Sequence, residues 1–547
     1  MTFTMKYFIG KASLVRTDIM EFVCDTRYIV LPTNRHAKSK RLEFYHKDKL
    51  IYDLDIKLDY KFPEQMFYLD VARFIGMNLK IISIQYIEFE IKKANALPED
   101  QSRYKGKYRP LFHFTTKSGW INDPNGLFFY NGQYHLFYQY NPVGVQWGNM
   151  HWGHAVSEDL IHWYEKDIAL YPDELGTMFS GSAIIDKDNV TGLKENSNDT
   201  ILLYYTAAGG TSLLSEGKSF TQCLAFSADG GTTFKKYDKN PLIANIDEGN
   251  RDPKVIYHSQ SGNYVMALYM SGNDFALFIS KDLLNWKLEQ RISLGDDWEC
   301  PDFYPLPVDG DPNCVKWVLT GASDRYIVGS FDGYAFKPET PVKKLQYTSK
   351  SYASQSWSNI CETDGRRIRI TWNRFEIPNM PFNNSMTFPC EMSLKRFSGE
   401  IFLCAYPVDE IEKLYKNLYK KFDLLVPVLC EYTYNLNEMA YDIKLVFSND
   451  CKSSAIISMF GLDIHCDCFN NEIVCGGDTA PMIAVEGITD LRLLIDVNGT
   501  EIFINGGKAF MCVGHLQDYN LNKLTVKTTG NDIVLKSLEI AELRGIR

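Results

Sequence analysis

Apolar and polar positions alternate along this chain in short, strand-length runs, and helical periods are rare. Leu127-Phe128-Phe129-Tyr130 and Tyr134-His135-Leu136-Phe137-Tyr138 flank Asn131-Gly132, a dipeptide suited to the positive φ values of a two-residue hairpin. Upstream, Phe22-Val23, Tyr28-Ile29-Val30-Leu31, Leu50-Ile51-Tyr52 and Ile81-Ile82-Ser83-Ile84 predict a small β-sandwich-like domain over residues 1–105. It ends in a linker, Ala96-Leu97-Pro98-Glu99-Asp100-Gln101-Ser102. Downstream, Ile443-Lys444-Leu445-Val446-Phe447, Leu491-Arg492-Leu493-Leu494-Ile495 and Ile502-Phe503-Ile504, with turns at Asn498-Gly499 and Asn505-Gly506-Gly507, predict a β-sandwich over residues 420–547. The stretch just before it, residues 404–419, has apolar positions at Val408, Ile411, Leu414 and Tyr415 and predicts a linker helix.

The middle of the chain repeats itself. Ser157-Glu158-Asp159-Leu160-Ile161-His162-Trp163 has a relative in Ser280-Lys281-Asp282-Leu283-Leu284-Asn285-Trp286. Looser copies lead from Ser227-Ala228-Asp229-Gly230 to Phe234 and from Ser330-Phe331-Asp332-Gly333 to Phe336. Each is a polar turn closed by an aromatic, recurring at about the length of a four-stranded sheet with its loops. With allowance for a blade carrying no recognisable copy, residues 106–403 are expected to form a five-bladed β-propeller. The fold class is therefore all-β throughout.

Composition narrows the partners. Aromatic residues make up 14% of the 547 positions, enough to pack many sheets and also to stack on sugars. The net charge is −10 with no sizeable basic cluster, since Lys38 to Arg41 is short, which argues against nucleic acid. No apolar run reaches the roughly 18 residues of a membrane span. The first sixteen residues make a poor signal peptide, so a cytoplasmic location is expected. Thirteen scattered cysteines fit the same reducing setting. His465-Cys466-Asp467-Cys468 would place two thiols on one strand face, but no second pair follows at zinc spacing, and no metal is expected.

Candidate chemistry rests on acids beside prolines. Gly119-Trp120-Ile121-Asn122-Asp123-Pro124-Asn125-Gly126 puts Asp123 on a stiffened corner at the mouth of a sheet. Taken alone, this is as readily a structural Asx-turn as a catalytic motif. Arg251-Asp252-Pro253 repeats the device, and Trp298-Glu299-Cys300-Pro301-Asp302 places a glutamate beside a ring expected to desolvate it. Inner strands of a propeller line one channel, so these carboxylates can converge. Like charges at close range then push at least one pKa up, giving the one ionised and one protonated carboxyl that a glycosidase uses. Three unrelated surface acids are the alternative.

The ordered motifs decide between them by resemblance. Residues 119–126, then Phe137-Tyr138-Gln139-Tyr140-Asn141-Pro142, Trp147-Gly148-Asn149, Trp152-Gly153-His154-Ala155-Val156-Ser157, Phe179-Ser180-Gly181-Ser182-Ala183, Arg251-Asp252-Pro253 and Glu299-Cys300-Pro301 resemble, in order, those of glycoside hydrolase family 32, the β-fructofuranosidases. The resemblance runs from about Tyr108 to the chain end. Ile121 stands where the family has methionine, and Cys390 in Met386-Thr387-Phe388-Pro389-Cys390-Glu391 stands where it usually has arginine, a change expected to alter packing or charge beside the pocket.

The resemblance implies a five-bladed propeller followed by a β-sandwich, with Asp123 as nucleophile, Glu299 as general acid/base and Asp252 as transition-state stabiliser. It implies that Asn122, Gln139, Trp147, Ser180, Arg251 and Trp372 hold the terminal fructosyl unit. It implies no cofactor. The expected activity is retaining, exo-acting hydrolysis of β-fructosides, with sucrose, fructo-oligosaccharides, inulin or levan as candidate substrates. Tyr171-Pro172-Asp173-Glu174-Leu175-Gly176-Thr177 looks more like levanases and exo-inulinases, whereas a missing export signal favours sucrose and short oligosaccharides. A fructosyltransferase using the same residues, and a silent fructan-binding propeller, are the rival readings. The sequence leaves self-association and the role of the N-terminal region open.

Overall fold

The computed structural model describes residues 4–10, 13–83, 91–98, 104–360, 364–449 and 453–546. Ile84 and residues 99–102 of the expected linker lie outside them. Strands dominate, and no helix is long and apolar enough to cross a membrane among the described residues.

Before residue 95 the chain forms two sheets. One orders the strands Thr4–Gly10, Ser13–Val23, Asn78–Ser83, Lys40–His46 and Lys49–Ile56; the other orders Gln65–Asp70, Tyr28–Thr33 and Lys92–Ala94. Alternation buries Phe44, Leu54, Phe67, Leu69 and Ile81 in one core, which also takes in Val143 from the next part of the chain.

From Gly119 onward, antiparallel sheets follow one another. The first pairs Gly119–Tyr130, Gln133–Asn141, His151–Ser157 and Tyr164–Glu165. The second starts at Thr177–Asp186, the third at Arg251–His258 and the next at Asp302–Val308. The last contains Ser351–Ser356, Arg367–Asn373, Cys390–Phe397 and Glu400–Pro407, and touches its predecessor through the parallel pair Val308–Leu394. The first strand of each sheet packs on the first strand of the next, and Ser351–Ser356 returns to Gly119–Tyr130. This radial layout is a β-propeller.

Polar side chains tie the inner strands together. Ser182 donates to the Pro253 carbonyl (2.7 Å) and accepts from the Val255 N–H (2.9 Å). Gln355 donates to the Gly181 carbonyl (2.9 Å). Buried Lys254 reaches Asp302 (3.3 Å) and the Ser356 carbonyl (2.7 Å). Each link satisfies groups that a buried strand edge would otherwise leave unpaired.

The repeated turns share one geometry. Asp159, Asp229, Asp282 and Asp332 each accept from backbone N–H groups two to four residues ahead. Leu160, Gly230, Leu283 and Gly333 adopt positive φ just after them. Every copy joins the third strand of its sheet to the fourth. The last sheet makes that connection with the tight turn Ser398-Gly399, which leaves no room for a copy.

Two expectations need correction here. Residues 119–126 form no corner: they belong to the continuous strand Gly119–Tyr130. Pro124 lies opposite Tyr138, and register shifts on either side absorb the missing N–H. The linker helix expected over residues 404–419 is also absent. Strand Glu400–Pro407 is followed by a short 3-10 turn, Asp409–Leu414, and then by strand Tyr415–Val426. The apolar spacing there reflects burial of Val408, Ile411 and Leu414 beneath the turn. The propeller sheet accordingly extends past 403 to Pro407.

Two six-stranded sheets complete the chain as a sandwich around Ile443, Leu445, Ile464, Leu493 and Val526. Its junction with the propeller is polar at the centre. His113 lies between Asp496 (2.8 Å) and Glu501 (3.0 Å), all buried. Burial opposes its charge, yet Glu501 and Asp496 raise the imidazole to about 9. Arg492 pairs with Asp442 (2.8 Å) and faces the Tyr406 ring. Cys390 belongs to this junction: its thiol is buried 3.4 Å from the Phe388 carbonyl, opposite Arg369. It therefore lies in packed core and not beside a pocket.

Candidate active site

The starts of the inner strands carry the acids. Asp123 is early in Gly119–Tyr130, Ser180 early in Thr177–Asp186, Asp252 second in Arg251–His258, and Glu299 just ahead of Asp302–Val308. Pleating and bulges turn these side chains toward one place. Asp252 (φ +65°), Glu299 (φ +58°) and Cys300 (φ +42°) all occupy the left-handed region, a conformation that costs non-glycine residues on the order of 1 kcal/mol or more and clusters at functional sites.

Asp123 is 9% exposed. Its Oδ2 accepts from Ser180 Oγ (2.7 Å) and Gln139 Nε2 (3.1 Å). Asn125 braces the strand, donating to the Asp123 carbonyl (3.0 Å) and accepting from the Gly181 N–H (3.1 Å). Asn122 accepts from the Trp120 indole (3.0 Å). Asp252 accepts from the Cys300 N–H (3.0 Å), and its own N–H donates to Thr206 (2.9 Å). The Cys300 sulfur lies 3.8 Å from Asp123 Oδ2 and 3.5 Å from Asp252 Oδ2, so two carboxylates meet at one atom.

Glu299 is gripped from both sides. Arg251 donates to Oε1 through Nε (3.2 Å) and Nη2 (2.6 Å), while Tyr352 donates to Oε2. Arg251 itself rests on the Tyr269 ring. The loop beneath is fixed by Asp297, whose carboxylate accepts from the Trp298, Ser323 and Arg325 N–H groups. Trp298 does not desolvate the glutamate as expected: it is 44% exposed, and Glu299 is surrounded by polar partners.

The three acids share charge in a confined space. Burial pushes Asp252 up to about 7; Arg251 opposes this, and Glu299 and Asp123 add to it. Burial likewise raises Asp123, with the Ser180 hydrogen bond pulling the other way and Glu299 reinforcing the rise. Crowding of like charges at close range therefore favours retention of a proton within the cluster, shared among the three acids. Such a set can deliver a proton and a carboxylate to one bond.

Of the other expected residues, Trp372 sits against Trp120 (6.0 Å between ring centres) and Tyr352 (6.4 Å), one ring removed from Glu299. Trp147 meets Phe179 edge-on (6.0 Å), beside Ser180, and is 55% exposed. Sequence reasoning missed Tyr352, Thr206 and Trp120 as contributors. Tyr352 and Thr206 stand in ordinary strand sequence with no motif around them, whereas Trp120 lay within a motif read for its acid.

Comparison with known proteins agrees with this fold. Residues 113–407 match the glycosyl hydrolases family 32 N-terminal domain. The levanase of Bacillus subtilis is 35% identical over 498 residues, covering 82% of this chain and 72% of the levanase. The crystal structure of an Aspergillus awamori exo-inulinase superposes with a TM-score of 0.74 at 25% identity, covering 81% of this chain and all of the inulinase. A Schwanniomyces occidentalis fructofuranosidase complexed with fructosylnystose does so with a TM-score of 0.71 at 26% identity, over 82% of this chain and 99% of its own. The match to the family model spans more than half of the chain, and the levanase is 35% identical over 82% of it: the chain belongs to glycoside hydrolase family 32.

Proposed function

We propose that this protein is a retaining, exo-acting β-fructofuranosidase that releases terminal β-D-fructosyl units from sucrose and fructo-oligosaccharides. The observation that carries the reading is the convergence of Asp123, Asp252 and Glu299, with Arg251 and Tyr352 on Glu299 and Ser180 and Gln139 on Asp123. Glu299 protonates the glycosidic oxygen as Asp123 attacks C2, forming a covalent fructosyl ester. Asp252 holds ring hydroxyls and stabilises the oxocarbenium character between them. Glu299, now a base, takes a proton from water, which displaces Asp123 and frees fructose. Asn122, Gln139, Trp147, Ser180, Arg251 and Trp372 grip the fructosyl unit. No cofactor enters these steps.

The ring of inner strands supports a five-bladed count for the propeller. The two N-terminal sheets, with their own core, support a separate domain. A reducing, cytoplasmic setting is part of this reading, in keeping with the free thiols of Cys24, Cys223, Cys300, Cys390, Cys404 and Cys512. Levanase and exo-inulinase among the relatives support fructans alongside sucrose as substrates.

Stereochemistry tests the mechanism. Two inverting displacements keep the β configuration, so sucrose in dilute methanol is expected to give methyl β-D-fructofuranoside at early times by NMR. An initial α-fructoside would mean a single displacement, with Asp123 as base. Product analysis with sucrose and 1-kestose separates hydrolysis from fructosyl transfer, and absence of turnover would leave a binding propeller.

A further inference from the structure

The two N-terminal sheets do more than lie beside the propeller. Their core takes in Val143, with Val145 packed against it, from the segment that leads to Trp147. The Asp55 N–H donates to Asn149 Oδ1 (2.9 Å), and Asn149 Nδ2 donates back to the Asp55 carbonyl (2.7 Å). Asp53 accepts from the Leu213 and Leu214 N–H groups (2.9 and 3.0 Å). Between these contacts the two parts enclose a cavity of about 280 Å³, walled on one side by Trp147, Gln146 and Thr211 and on the other by Arg35, Lys57 and Glu64.

The chemistry of this cavity is specific. Its charged side chains are Arg35, Lys57, Asp55 and Glu64, two of each sign. Balanced charge gives no preference for an anion such as a phosphate. Arg35 Nε is held on Glu64 (3.1 Å), and Lys57 donates to the Arg35 carbonyl (2.9 Å), so donors and acceptors are fixed in advance. The half-exposed Trp147 ring, edge-on to Phe179, supplies an apolar face. An aromatic face beside oriented polar groups of both kinds suits a neutral, hydroxyl-rich ligand. The volume suffices for a short saccharide segment.

We propose that this cavity is a distal saccharide subsite, in which the N-terminal sheets bind the leaving-group side of fructo-oligosaccharides longer than sucrose. The inference rests on the fructosidase reading.

Steady-state kinetics on sucrose, 1-kestose, nystose and longer inulin-type chains test it, using the full-length protein and the variants Lys57→Ala and Ser39→Trp. Lys57→Ala removes a donor. Ser39→Trp fills the cavity from an exposed position, so it remains informative if the first variant folds poorly. The expected result is sucrose kinetics within about twofold of the unaltered chain, with KM for nystose and longer chains raised about five- to tenfold and kcat retained. An equal effect at every chain length, or no effect at any length, would overturn the subsite. Absence of sucrose hydrolysis by the unaltered chain would overturn the fructosidase reading beneath it.

Discussion

At the scale of single residues the site is a compromise between charge and burial. Asp123→Asn keeps the shape of the pocket and removes the proposed nucleophile, so kcat for sucrose is expected to fall at least about a thousandfold with substrate binding retained. A variant keeping a tenth of the turnover would remove Asp123 from the mechanism. Asp252 makes a second prediction about stability. Its folded-state pKa of about 7 exceeds the ordinary carboxylate value, so the folded protein binds the extra proton. Stability from this group is therefore highest at low pH and declines as pH rises toward 7. Asp252→Asn removes that penalty, and asparagine tolerates the positive φ. The variant is expected to be inactive yet to melt a few degrees higher at about pH 8, with the gain vanishing near about pH 4. A lower melting point at both pH values would sink the argument. Much of this site was legible: Asp123, Asp252 and Glu299 each sit in a motif that stiffens the backbone. Tyr352 was not, because a tyrosine in a plain strand carries no sign of the glutamate 53 positions away.

At the scale of elements, the bulged strand and the polar junction are the sensitive parts. Gly126 has φ +54°, and a Cβ there would lie 2.9 Å from the Phe137 ring and 3.0 Å from Trp152. Gly126→Ala is expected to destabilise by about 1–3 kcal/mol, measured by denaturant unfolding, and to lower activity because the same strand aims Asp123. The His113 junction has the opposite pH dependence from Asp252. Its folded value of about 9 lies above the unfolded value of about 6.5. Its contribution is complete below the unfolded value and fades as pH rises through about 9. The melting gap between the natural chain and His113→Gln should be largest near about pH 6 and shrink by about pH 10. A gap constant across that range would mean that His113 contributes packing alone. The aspartate turns were visible in sequence because Asp159, Asp229, Asp282 and Asp332 each serve their own neighbours. The strand through Asp123 reads locally as a corner because its bulges depend on partners in the next strand, and the 3-10 turn at Asp409–Leu414 has the spacing of a helix because burial under a turn places apolar residues alike.

At the scale of the whole molecule, the order of sheets followed from the repeats and motifs, whereas the placement of the N-terminal sheets did not, since their contacts at Asn149 and Leu213 pair residues 94 and 160 positions apart. A chain beginning near Tyr104 keeps every carboxylate of the site. It is expected to retain measurable sucrose hydrolysis if it folds, at a raised KM, because Val143 and Val145 lose their packing and the Trp147 segment loosens. A folded but inactive truncation would make the N-terminal sheets part of the catalytic centre itself.

The closed ring also bears on how the protein comes into being. Glu299 and its partner Tyr352 emerge from synthesis long after Asp123, and the last inner strand must return to the first before the acids face one another. A nascent chain thus carries Asp123 through the synthesis of four further inner strands before the ring that brings Glu299 to it can close. On the proposed roles, activity is expected to arrive in a single event at closure, so a ribosome-held chain stopped before that strand should be silent however well its earlier sheets have folded.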